Sequence, residues 1–153
     1  MREILFRGKR IDNGEWVYGY AVKGNYKKGQ IFIAKSIGIG YFFTGCITAD
    51  EVISETVGQY TGLIDKNGKK IFEGDICQVV YTDRMCDTDG KHYENEHEMF
   101  EEVVFEKGTF CFETTIEDIA FYRPIEFDIY WKQKIKYFEV IGNIHDNPEL
   151  LEG

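Results

Sequence analysis

No hydrophobic run in this chain approaches the ~20 residues that a membrane-spanning helix needs. The opening Met1-Arg2-Glu3-Ile4 lacks the apolar stretch of a secretion signal. A cytoplasmic protein with no membrane partner is therefore expected. Cysteine is sparse: Cys46, Cys77, Cys86 and Cys111 include no close pair and no Cys-x-x-Cys. Without a secretion signal this argues for reduced thiols, not a disulfide framework. Histidine is scarcer still, and the spacing of Cys86, His92 and His97 fits no zinc pattern. Asp87-Thr88-Asp89-Gly90 begins like a calcium loop but brings glycine in too early and lacks the ligands that should precede Glu98. No metal and no other cofactor is expected. There is no Gly-x-Ser-x-Gly, no His-Glu-x-x-His and no phosphate loop, so no catalytic residue is assigned. For an enzyme, His145-Asp146 beside Asn143 could orient a base and the Cys thiols could serve as nucleophiles. Positive charge is also short: 18 Lys and Arg against 27 Asp and Glu give −9. That balance works against phosphate binding, so nucleic acid is disfavoured as a partner, despite local clusters at Lys66-Lys69-Lys70 and Lys132-Lys134-Lys136.

What the chain does have is aromatic rings: 12 Phe, 10 Tyr and 2 Trp in 153 residues. Rings fit the pleated, half-buried surface of a sheet, and 16 Gly against 2 Pro support frequent tight turns, so the fold class is mainly β. Residues 3–7, 15–22 and 30–35 read as strands, with a hairpin at Asn13-Gly14 whose positive φ angles that dipeptide supplies. In the second strand Trp16, Tyr18 and Tyr20 share one face and form the candidate binding surface. Ala49-Asp50-Glu51-Val52 reads as one helical turn, and Asn67-Gly68 as a second hairpin turn. Glu73-Gly74-Asp75 launches the strand 76–81, and strands at 102–105 and 109–114 pair about Lys107-Gly108. Phe127, Ile129 and Trp131 alternate with Asp128 and Tyr130, 135–144 is the last long strand, and Pro148 opens a closing helical turn.

Acidity is concentrated. Asp83, Asp87, Asp89, Glu94, Glu96, Glu98, Glu101 and Glu102 face only Arg84 and Lys91 between 83 and 102, a local −6 within the total of −9. This polar stretch reads as a long loop, with residues 84–100 mobile and dispensable.

Two motifs carry a likeness to a known family. They are the run from Glu55 through Thr56-Val57-Gly58-Gln59-Tyr60-Thr61-Gly62-Leu63 to Asn67-Gly68 and Glu73-Gly74-Asp75-Ile76, and the closing Phe138-Glu139-Val140-Ile141-Gly142-Asn143-Ile144-His145-Asp146-Asn147-Pro148-Glu149-Leu150-Leu151. With Ile4-Leu5-Phe6-Arg7-Gly8 at the start, the chain resembles the YopX family over nearly its whole length. The resemblance implies a phage or prophage origin. It also implies a small SH3-like barrel over 56–153, with an N-terminal β layer (1–55) packed on it. It brings no catalytic residues. Gly58, Gly62, Asn67, Gly68, Gly74, Asp75, Gly142, Asn143 and Pro148 read as architecture: glycines for turns or close approach, side-chain acceptors for turn amides. Asp65→Asn is accordingly expected to be mild.

The expected function is an accessory protein that binds a protein, unknown from sequence, or its own copies as a homo-oligomer. A nucleic-acid-associated factor with a basic and aromatic patch is the alternative, and an enzyme the third reading.

Overall fold

The computed structural model describes residues 3–37, 47–116, 119–125 and 133–152. The chain divides into two compact units, Met1–Gly62 and Leu63–Gly153. Its strands make two antiparallel sheets, and the mainly β reading is correct.

The first sheet has the order β4-β3-β2-β1-β5-β6. Its strands are β1 (Phe6–Lys9), β2 (Trp16–Lys23), β3 (Ile31–Ile37), β4 (Ile47–Val52), β5 (Gly58–Ile64) and β6 (Lys70–Phe72). Alternation sends Val17, Ile33 and Val52 into one small core, with Phe6, Ile31 and Val57 packed against it. The sheet curls enough for the end of β4 to bond back to the end of β1, Ile53 N–H to the Lys9 carbonyl (2.8 Å) and Ile11 N–H to that of Glu51 (3.2 Å). Glycine permits this curl at Gly19, where a Cβ would lie 2.1 Å from the Ala34 carbonyl oxygen.

The expected helical turn at 49–52 is instead part of β4, paired with β3 from Ile31↔Val52 to Ala34↔Ala49. Val52 is buried in the small core, and this tertiary gain outweighs the local helical preference of Ala-Asp-Glu. The Asn-Gly turns also differ from expectation. Gly14 and Gly68 have positive φ, but Lys107 is the one non-glycine that does among the described residues. With Gly108 it forms a two-residue mirror-image turn between Glu106 and Thr109.

The second sheet has the order β10-β9-β8-β7-β11. Its members are β7 (Asp75–Cys86), β8 (His92–Glu106), β9 (Thr109–Ile116), β10 (Ile119–Pro124) and β11 (Gln133–Asn143). One face supplies the main core of Cys77, Val79, Tyr81, Val103, Phe110, Phe112 and Val140, joined by Ile71 and Ile125. Phe138 meets Phe112 edge-on at 5.5 Å. The described strands of this unit form an open sheet and do not close into a barrel. The alternation at 127–131, together with Cys46 and Lys132, lies outside the described residues.

The acidic stretch is not a loop. β7 and β8 pair without interruption from Ile76↔Glu102 to Cys86↔His92. Only residues 87–91 turn, held by Asp87 Oδ1, which accepts the Asp89 and Lys91 amides at 3.0 and 2.8 Å. The acids at 94, 96 and 98 recur every second residue, which is strand periodicity with one solvated face.

Candidate functional site

Four strands of the second unit converge on one carboxylate. Glu101 on β8 points to the core side, in step with Met99 and Val103. Its Oε2 accepts the Tyr81 hydroxyl from β7, and its Oε1 accepts the Thr114 hydroxyl from β9 and the Arg123 guanidinium from β10. Arg123 Nη2 also donates to Thr114 Oγ1 at 3.0 Å and lies 3.6 Å from Met99 Sδ. Its guanidinium carbon sits 4.6 Å from the centre of the Tyr81 ring. Burial pushes the Tyr81 phenol above its ordinary range, and the Glu101 charge and hydrogen bond push it further. Tyr81 is therefore a hydrogen-bond donor at neutral pH, not a nucleophile. A carboxylate with both oxygens occupied by fixed donors is equally poor as a general base. Chemically, this cluster orients and crosslinks strands.

A second buried acid organises the central motif. Asp65 Oδ1 accepts the amides of Asn67 (2.8 Å) and Lys69 (2.9 Å), and Oδ2 accepts that of Val140 on β11 (3.1 Å). Burial opposes its ionisation, yet these three amides outweigh burial and hold the carboxyl below the usual aspartate range. This geometry argues against a mild Asp65→Asn, since an amide nitrogen cannot accept from a backbone N–H. Gly68 completes the turn at φ 82°, and Asn67 Nδ2 reaches Glu139 at 3.0 Å.

The other motif residues also lie at backbone junctions. Gly74, at φ 78°, donates to the Val103 carbonyl and accepts from Ile144. Asp75 accepts the Phe72 amide at 2.8 Å. Asn143 Oδ1 takes the His145 and Asp146 amides at 3.0 Å each, and its Nδ2 donates to the Asp146 carboxylate. A side chain on Gly142 would meet Asn147 Oδ1 at 2.7 Å, and Pro148 opens the closing 3-10 turn. Gly58 is buried on β5 opposite Arg7, and Gly62 takes φ 94°.

The aromatic face of β2 is at the surface. Tyr18 and Tyr20 are 49% and 52% exposed, and Val22 extends the same stripe. Trp16 is half-buried, with the Arg7 guanidinium 4.7 Å and the Lys9 ammonium 5.5 Å from its ring centre.

Among the described residues no three His, Cys, Asp or Glu side chains converge as metal ligands. Cys86 pairs across the hairpin tip with His92, whereas Cys77 is buried with its thiol pushed up by burial. Cys77, Cys86 and Cys111 are free thiols. The basic clusters are partly neutralised: Lys66 pairs with Glu139 at 2.5 Å, and Lys136 with Glu96 at 2.6 Å.

The model of the family described as YopX protein matches residues 5–152. The chain belongs to the YopX family. Among solved structures, this YopX-family chain is similar to the crystal structure of protein EF1440 from Enterococcus faecalis. The two are 23% identical over 99% of each chain, with a TM-score of 0.49. No curated protein matches the chain. Among the described residues no helix is long and apolar enough to cross a membrane.

Sequence reading missed the Glu101 cluster, and it also missed a like-charge pair. Glu102 on β8 stands directly opposite Glu113 on β9. Burial pushes the Glu102 carboxyl up, and the charges of Glu113 and Glu73 add to this. For an acid raised on folding, the penalty is absent below the unfolded value and complete above the folded one. Glu102→Gln is therefore expected to stabilise the protein at pH 7 by up to about 1 kcal/mol, and by nothing near pH 3. Urea midpoints at the two pH values check this, and equal shifts at both would refute it.

Proposed function

We propose that this YopX-family protein is a non-catalytic phage or prophage accessory factor, acting in the cytoplasm of a bacterial host through a surface contact with its own copies. The observation that carries the reading is the β2 stripe, where Tyr18, Tyr20 and Val22 stand at alternate positions and each is more than 40% exposed. Exposed Tyr beside Trp is the composition of an interface core, and a continuous stripe on one strand presents it as a single patch. The occupied oxygens of Glu101 and Asp65 support the non-catalytic part, because these buried acids serve the fold. The ion pairs at Lys66 and Lys136 weigh against the nucleic-acid alternative. An SH3-like character of the second unit belongs to the same reading, supported by its five sequential strands around one core.

Light scattering over a dilution series tests the proposal. A dimer is expected that dissociates at least tenfold more readily in Tyr18→Ser/Tyr20→Ser. Its interface is expected to bury at least about 1,000 Å². Surface positions of this kind change folding stability by only about 0.5 kcal/mol, so the variant is expected to stay folded. A strict monomer at high concentration would overturn the self-association, and substrate turnover by the purified protein would overturn the non-catalytic part.

A further inference from the structure

β8 is longer than the strand beside it needs. It pairs with β7 along nearly its whole length, but with β9 only from Glu102↔Glu113 to Glu106↔Thr109. Beyond Glu102 the two strands part, and along residues 92–101 no described strand occupies the other edge of β8. A cleft of about 480 Å³ opens there. Its walls are Glu98, Phe100 and Glu102 from β8 and Glu113 and Thr115 from β9, and Leu150 and Leu151 of the closing 3-10 turn complete it.

Three features of this cleft select an occupant. A vacant strand edge beside a groove admits an extended segment, whose main chain continues the ladder while alternate side chains enter the cleft. Phe100, 45% exposed, and the two leucines favour an apolar side chain at one position. Glu102 and Glu113, like charges face to face with no ion-pair partner among the described residues, favour a cation at the next. A second copy of this chain is disfavoured, because β8 carries most of the local −6 and two such edges would repel.

We propose that the cleft between β8 and β9 binds an extended basic segment of a partner protein, which adds as a strand to the edge of β8 and seats a Lys or Arg between Glu102 and Glu113. This surface is separate from the β2 stripe and stands without it.

The probe is a capped nine-residue peptide in which Val and Lys take turns at every second position with Thr between them (Thr-Val-Thr-Lys-Thr-Val-Thr-Lys-Thr), so that both kinds of side chain share one strand face, titrated into the full-length protein at physiological salt. Saturable binding is expected, weakened at least tenfold in Glu102→Gln/Glu113→Gln and at least tenfold by proline at the centre of the peptide. Amides at the open edge of 92–101 are expected to exchange more slowly when the peptide is bound. Equal binding of the proline peptide would reduce the effect to bulk charge and overturn strand addition. Undiminished binding by the double variant would place the peptide elsewhere and overturn the site, as would no binding below millimolar concentration. A shift of the dimer dissociation constant in the double variant would make a second copy the occupant, and would also overturn it. The self-association of Tyr18→Ser/Tyr20→Ser answers the other proposal independently.

Discussion

Replacing Arg123 with methionine is expected to destabilise the protein by about 3 kcal/mol, measured by chemical denaturation at pH 7. The side chain is exchanged for one of similar reach, so the loss is electrostatic more than steric. Glu101 is left fully buried, with hydroxyl donors but no countercharge. Breaking a buried ion pair by removing one partner costs about 3–5 kcal/mol, and the quarter of Arg123 that remains exposed places it at the lower end. Glu101→Met/Arg123→Met is expected to recover part of this, because two apolar side chains no longer bury an uncompensated charge. The recovery is incomplete, since the Tyr81 and Thr114 hydroxyls then lose their acceptor. A loss below about 1 kcal/mol in the single variant would show that the guanidinium does not hold this cluster.

The second large effect is at Asp65, where Asn is expected to cost about 2–3 kcal/mol at pH 7, one buried charged acceptor shared by three backbone amides being worth more than a single ordinary hydrogen bond. Its pH dependence separates it from a simple packing defect. The folded carboxyl titrates below its ordinary value of 3.8, so its contribution is complete above that value. It is lost as pH falls through the lower, folded range, and the gap between wild type and Asn is expected to narrow there. Gly68→Ala three residues on provides the contrast. A Cβ there meets nothing within 4 Å, so its cost is purely that of holding φ at 82° and does not depend on pH. A pH-independent gap for Asp65→Asn would remove the charge from the explanation.

Much of the fold was legible because its signals are local. Lys107-Gly108 with Phe110 and Phe112 on one face, Gly74-Asp75 before a strand, and Pro148 before a helical turn each need only a few neighbouring residues. The hairpin at 83–102 is hidden because its charge density suggests a loop while its period of two is that of a strand. Glu94, Glu96 and Glu98 alternate with His97 and Met99 as in any strand with one wet face. The Glu101 cluster had little chance of being found. Tyr81 and Arg123 lie 42 positions apart, the four residues Tyr81, Glu101, Thr114 and Arg123 come from four strands, and only register brings them together. One hint was available: Glu101 shares its parity with Met99 and Val103, the wrong place for a carboxylate unless it is paired. The β8 cleft is likewise a matter of where two strands part, which no window of sequence contains.

The order β10-β9-β8-β7-β11 has a consequence for synthesis on the ribosome. β7 to β10 emerge in sequence and form a meander of adjacent hairpins, the kind of local pairing that assembles early. β7, whose Cys77, Val79 and Tyr81 supply the middle of the core, then waits with one side bare until β11 is made. At about 5–20 residues per second, translating 125–143 takes about 1–4 s. Throughout that interval the nascent chain displays an apolar strand edge, and Asp65 lacks the Val140 amide that later ties the central motif to β11. A chain stalled before β11 thus presents the hydrophobic, unpaired edge that chaperones bind and that aggregates propagate.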